Sequence, residues 1–92
     1  GVALEVRQAA LSVRDAQARL RVADDALSTA EEAARMARVK YVAGVGEGTV
    51  SPLLDLADAQ LALTQAQGNR AQARADLLSA WARLDRAVGE PV

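Results

Sequence analysis

From Val6 onward the apolar positions advance by alternating steps of three and four: Val6, Ala9, Val13, Ala16, Leu20, Ala23, Leu27, Ala30, Ala34, Ala37 and Tyr41. The same alternation returns at Leu56, Ala59, Leu63, Ala66, Arg70, Ala73, Leu77, Ala80, Leu84 and Ala87, with Arg70 the one member that is not apolar. A mean step of about 3.5 residues keeps every member on one side of an α-helix, and a run this long is a heptad seam. In both halves a larger residue alternates with alanine, so two helices can interlock along a close seam. A short connection between long helices makes them antiparallel neighbours. The sequence therefore predicts an all-α fold, a long, alanine-rich, antiparallel two-helix coiled-coil hairpin that assembles into a larger helical bundle or barrel. Pairing the seams outward from the turn puts Ala37 near Ala59, Ala30 near Ala66 and Leu20 near Leu77.

The punctuation between and after the seams agrees. Gly44 stands where a left-handed helix C-cap is needed, Ser51 is a capping residue with Pro52 at the first helical position, and Gly89 followed by Pro91 ends the second helix. Leu54 occupies the position where a full capping box has Glu or Gln, so the Ser51 cap is only partial. Residues 1–92 read as one helical hairpin, with helix 1 over about 3–43, a tip loop over about 44–51 and helix 2 over about 52–88. A chain of 92 residues buries little of its surface, which suggests a piece of a larger protein.

Composition removes several function classes. The net charge is −1 with acids and bases interspersed, which leaves no basic footprint for nucleic acid and no polybasic patch for a membrane surface. With neither Cys nor His, the usual zinc, copper, haem and iron–sulfur ligand sets and the thiol and His-based nucleophiles are missing, so no cofactor is expected. The chain has no apolar run long enough for a membrane span and no signal-like start, so an exported parent would carry its signal outside these residues.

A second apolar stripe lies beside the first. Leu4, Leu11, Ala18, Val22, Ala26 and Ala33 form it in the first helix; Ala57, Leu61, Gly68, Ala71, Ala75, Leu78 and Ala82 form it in the second. Abundant alanine falls on every face by chance, and that is the plain explanation. The other is that each helix packs against two neighbours, as in a closed ring of helices. Gly68 in mid-helix costs roughly 1 kcal/mol relative to alanine, a cost that makes sense where another backbone approaches.

The stretch "YVAG" closing one long helix, then a glycine-containing turn, then "LLDLADAQLAL", with "ARADLLSAWARLDRAVG" closing the second helix, resembles the TolC-like outer membrane efflux proteins. "EVRQAALSVRDAQARLRVADDAL" extends the likeness over essentially the whole chain, which is similar to one periplasmic helical hairpin of that family, from the second of its two internal repeats. The resemblance implies a homotrimeric channel: an outer membrane β-barrel continued by a helical tunnel into the periplasm, of whose wall this hairpin is a part. It implies a Gram-negative outer membrane location with these residues on the periplasmic side. Its partners would be a periplasmic adaptor and an inner-membrane pump, and the helix–helix turn would be the tip that meets the adaptor. One departure stands out. The "GEGTV" stretch makes the turn longer than the family's, which puts contacts carried over to the loop in question.

Residue by residue, the resemblance assigns Asp55 and Asp58 to an acidic ring at the pore entrance and Tyr41 to a polar contact that holds the entrance closed. Gly44, Val45, Gly46, Glu47 and Gly48 become the adaptor-facing tip. Each residue also has a plainer role. Asp55 and Asp58, three residues apart near a helix start, complement the helix dipole. Tyr41 caps the seam of a hairpin. Arg70, which the register places near Leu27, would reach Asp24 or Glu31 by snorkelling, or else mark an inward-facing polar site. The paired carboxylates have neither the apolar pocket nor the partner that acid–base catalysis needs, so no enzyme is expected. Two other readings stay open: the α-hairpin of a periplasmic adaptor, and a purely structural coiled coil. The isolated hairpin is expected to self-associate through its second stripe.

Overall fold

The computed structural model describes residues 1–44 and 51–89. It contains two helices, α1 (Val2–Gly44) and α2 (Ser51–Gly89), lying antiparallel against each other. At a rise of about 1.5 Å per residue each runs roughly 60 Å. Alanine and leucine sustain helices of this length, and the one proline within them, Pro52, sits in the first turn of α2, where its missing N–H breaks no helical bond.

The helices bury one another along the predicted seams. Ala9, Val13, Ala16, Ala34 and Ala37 of α1 and Ala66, Ala73 and Ala80 of α2 are buried, and every other seam member is half-buried. Outside the seams only Ser12, Gly44, Pro52 and Gln60 reach even half burial among the described residues. Val13, Ala16 and Ala80 form a buried cluster, with Leu77 and Leu84 packed against it. Alanine is what lets two backbones come close enough for this. Each methyl removed from water contributes on the order of 1 kcal/mol, so a core built mostly of alanine is thin. The hairpin holds together by length of contact rather than by bulk.

Arg70 interrupts the α2 seam and makes the cross-helix hydrogen bond of the pair, its Nε donating to Asp24 Oδ1 at 2.8 Å. The Arg70 side chain is 40 % exposed and that of Asp24 46 %, so the aliphatic stem lies along the seam while the guanidinium turns outward to the carboxylate.

Gly44 behaves differently from the expected left-handed cap. It remains within α1 as its last residue, and its φ lies outside the left-handed region. A Cβ built there would sit 3.4 Å from Cγ of Pro52, so the first turn of α2 closes directly over the end of α1. Gly68 has open space around it: nothing lies within 4 Å of the position a Cβ would take. The close backbone approach expected at Gly68 is therefore not made by α1.

Candidate functional site

Around α2, consecutive residues turn by about 100°, so a seam with steps of three and four has a parallel row one residue before it and another one residue before that. The three rows differ in chemistry. The seam residues Leu56, Ala59, Leu63 and Ala66 face α1. One residue earlier lie Asp55, Asp58, Ala62 and Gln65, and the row continues through Asn69, Gln72, Asp76 and Ser79 to Arg83 and Arg86. Ala62 is its one apolar member, and all of it is exposed. One residue earlier again lie Leu54, Ala57, Leu61 and Thr64, continuing through Gly68, Ala71 and Ala75 to Leu78 and Ala82, also exposed. Thr64 is polar only in its hydroxyl, which donates to the Gln60 carbonyl at 3.0 Å within the same helix.

The apolar row is the second stripe of α2, with Leu54 added at its turn end and Thr64 within it. Leu54, Leu61 and Leu78 are about 60 % exposed, a large apolar surface left in water by a two-helix pair. On α1 the corresponding stripe is also exposed at Leu4, Leu11 and Val22, but charged residues such as Asp25 and Glu32 interrupt it.

Three open grooves of about 410, 290 and 320 Å³ run along the flank that carries the polar row. Glu5, Gln8 and Ser12 of α1 face Arg83 and Arg86 in the first, at the end away from the turn. Asp15 and Arg19 face Asp76 and Ser79 in the second. Val22 and Ala26 face Asn69 and Gln72 in the third. Within this row Gln72 Nε2 donates to Asp76 Oδ1 at 2.9 Å.

Asp55 and Asp58 begin the polar row. They lie in the first turns of α2, exposed and on one side of it, and neither is ion-paired among the described residues. Tyr41 is half-buried on the inner seam, in the last turn of α1. Extending the register of Ala16 with Ala80 and Leu77 puts Tyr41 at the level of Leu56, next to Asp55 in sequence. The turn thus brings Tyr41, Asp55 and Asp58 to one end of the hairpin, with Tyr41 facing the seam and the carboxylates facing water. Gly44, the described part of the expected tip, packs on Pro52. Val45, Gly46, Glu47 and Gly48 lie outside the described residues.

The family model for outer membrane efflux proteins matches residues 1–90. The chain belongs to the outer membrane efflux protein family. No curated protein and no solved structure matches it. Membership makes the chain a component of an outer membrane efflux channel, in a family whose business is transport rather than catalysis, and which generally works as trimers with adaptor and pump partners. Neither helix of this efflux protein hairpin is long and apolar enough to cross a membrane among the described residues. The match falls on the channel side of the two transport readings, not on the adaptor hairpin.

What the sequence reading did not single out is the rest of the polar row beyond the two aspartates. Its signal was available: the polar residues of α2 follow the same alternation of three and four as the apolar ones, shifted by one residue.

Proposed function

We propose that this hairpin is a wall segment of an outer membrane efflux channel, with its turn at the periplasmic entrance. In the full-length trimer, Asp55 and Asp58 of each subunit line that entrance, and Tyr41 helps hold it closed. The tip, from Gly44 through Val45, Gly46, Glu47 and Gly48, meets the periplasmic adaptor of a tripartite pump. The observation that carries this reading is the placement of Asp55 and Asp58: exposed, on one side of α2, immediately after the turn, in a chain of a channel family.

Carboxylates gathered from several subunits in a narrow opening concentrate cations and repel anions. Replacing both with asparagine keeps size and hydrogen bonding and removes the charge. Single-channel recording of the full-length Asp55→Asn/Asp58→Asn channel is the test. Weaker cation selectivity and weaker block by multivalent cations are expected, with assembly intact, since both carboxylates are exposed and lie beyond the first turn of α2, where an acid contributes less to the helix than the about 0.3–1 kcal/mol of a first-turn one. Unchanged selectivity and block in an assembled trimer would leave these residues as dipole partners of α2 and nothing more.

A further inference from the structure

We propose that the polar row of α2, along its whole length from Asp55 to Arg86, is the surface that faces the transported solute. This assignment rests on the conduit reading above and deepens it, because it names which side of the hairpin is wetted inside the channel and what chemistry a solute meets there.

Three observations lead to it. A helix built into a wall has two sides taken by neighbours and two left to face inward or outward. On α2 the seam is taken by α1, and the exposed row from Leu54 to Ala82 is the one whose burial removes apolar surface from water. That leaves the polar row and, on the other flank, the line Leu53, Gln60, Gln67, Arg74, Trp81 and Val88. These two differ sharply. The second line exposes Leu53, Trp81 and Val88, at 50, 47 and 65 %, whereas the polar row exposes no apolar residue larger than Ala62. A surface in permanent contact with water and passing solutes is best served by the row that can hydrogen-bond at every position but Ala62.

The grooves are the second observation. All three described in the previous section open on the polar flank; in the first two the α1 residues Glu5, Gln8, Ser12, Asp15 and Arg19 extend the polar surface across the seam, and in the third Val22 and Ala26 line the α1 side. α1 is charged on both flanks, and so the contrast on α2 decides between them.

Continuity is the third. Asp55 and Asp58 are the first members of the row, and on that row only Ala62 stands between them and the first amide, Gln65. If the carboxylates meet the solute at the entrance, helical geometry presents Gln65, Asn69 and Gln72 to the same space further along. The row then changes character with distance from the turn. Carboxylates come first, the amides Gln65, Asn69 and Gln72 follow, Asp76 and Ser79 come next with Asp76 accepting from Gln72, and Arg83 and Arg86 stand at the far end beside Glu5. Such a surface suits hydrated, hydrogen-bonding solutes, with Val22 and Ala26 of α1 the apolar side chains beside it.

Cysteine scanning of the full-length channel in planar bilayers tests this, using a membrane-impermeant, negatively charged methanethiosulfonate as the probe. Gln65→Cys, Gln72→Cys and Ser79→Cys represent the polar row, Gln60→Cys and Gln67→Cys the opposite flank, and Ala71→Cys and Ala75→Cys the apolar row. The hairpin contains no cysteine of its own to compete. Stepwise loss of single-channel conductance on reagent addition is expected at Gln65→Cys, Gln72→Cys and Ser79→Cys, and no change at the other positions. Conductance loss at Gln60→Cys and Gln67→Cys instead would overturn the assignment while leaving the conduit reading standing. No effect at any position in channels whose labelling mass spectrometry confirms would remove the conduit reading and the assignment together.

Discussion

Arg70 of α2 reaches across the hairpin to Asp24 of α1, Nε to Oδ1 at 2.8 Å, from a position that the heptad pattern reserves for a large apolar side chain. It ties the two helices together near the middle of their length, where the flanking seam layers are otherwise built from alanine and leucine. With both side chains nearly half exposed, solvent screens the pair, so its contribution to stability is small, about 0–1 kcal/mol. Its larger effect is on alignment. The Ala-and-Leu seam repeats every seven residues, and a charged pair at one level distinguishes that level from its repeats.

Arg70→Leu should therefore raise the stability of the hairpin, because a leucine completes the seam opposite Leu27 and replaces a weak ion pair with about 1–2 kcal/mol of apolar burial. Arg70→Ala should lower it, since the stem is lost and nothing replaces it. Asp24→Ala should cost under about 1 kcal/mol. Thermal melts of the three variants at a fixed protein concentration check the order. A coupling energy well above 1 kcal/mol in a double-mutant cycle would mean that the pair is less screened than its exposure implies.

Much of this fold was legible in the sequence because a heptad seam is a periodic signal sustained over dozens of residues. Each seam member named from the pattern is buried or half-buried, and each member of the second stripe is exposed. Arg70 was legible too, since a long side chain at a seam has nowhere to place its charge except outward, to Asp24 or Glu31. Local backbone detail was less so. Residue type and position point to a left-handed cap at Gly44, but the Pro52 ring sits over the end of α1 and the chain keeps helical geometry through Gly44. The candidate site was half legible. Asp55 and Asp58 stood out as charges near a turn, while Gln65, Asn69, Gln72 and Ser79 did not, because a search for apolar periodicity passes over a polar row with the same period.

The small size of Ala16 should matter more than its small hydrophobicity. It is 1 % exposed within the Val13 and Ala80 cluster, whereas Ala18 on the same helix is exposed. Ala16→Leu forces the backbones apart along a close seam and should destabilise the hairpin by about 1–3 kcal/mol. Ala18→Leu should change stability by no more than about 0.5 kcal/mol. Paired thermal or urea melts give the comparison.

Acid should weaken the surface pair of Glu32 and Arg35 before it disturbs the seam. The Arg35 guanidinium hydrogen-bonds and attracts the Glu32 carboxylate, and both effects hold its pKa below the ordinary value of 4.5. A carboxyl whose folded pKa is depressed stabilises the fold above its unfolded pKa and loses that contribution as pH falls through the folded value. The stabilisation is thus present at neutral pH and disappears progressively below about 4.5. Melting temperatures of the parent and Glu32→Gln should differ at pH 7 and converge toward pH 3. A difference that persists unchanged at pH 3 would assign the effect to something other than this charge.

Gly68 separates the free hairpin from the assembled one. Within the hairpin nothing lies within 4 Å of a Cβ at this position, so Gly68→Ala meets no obstacle and gains helix propensity, about 0.5–1 kcal/mol of added stability. In a wall where the row from Leu54 to Ala82 packs against a neighbouring helix, the glycine is the closest point of approach, and a methyl there pushes the neighbour away. The same row should drive self-association of the isolated hairpin, because Leu61 and Leu78 are about 60 % exposed and burying them against another copy removes that surface from water. Sedimentation of the isolated hairpin should show concentration-dependent oligomers that Leu61→Gln/Leu78→Gln dissociates. Gly68→Ala should raise the stability of the dissociated Gln variant and yet weaken association when placed in the parent. A Gly68→Ala hairpin that associates as tightly as the parent would show that no helix approaches closely at this glycine, and a parent that stays monomeric at high concentration would show that the apolar row needs more than a second copy of the hairpin to be covered.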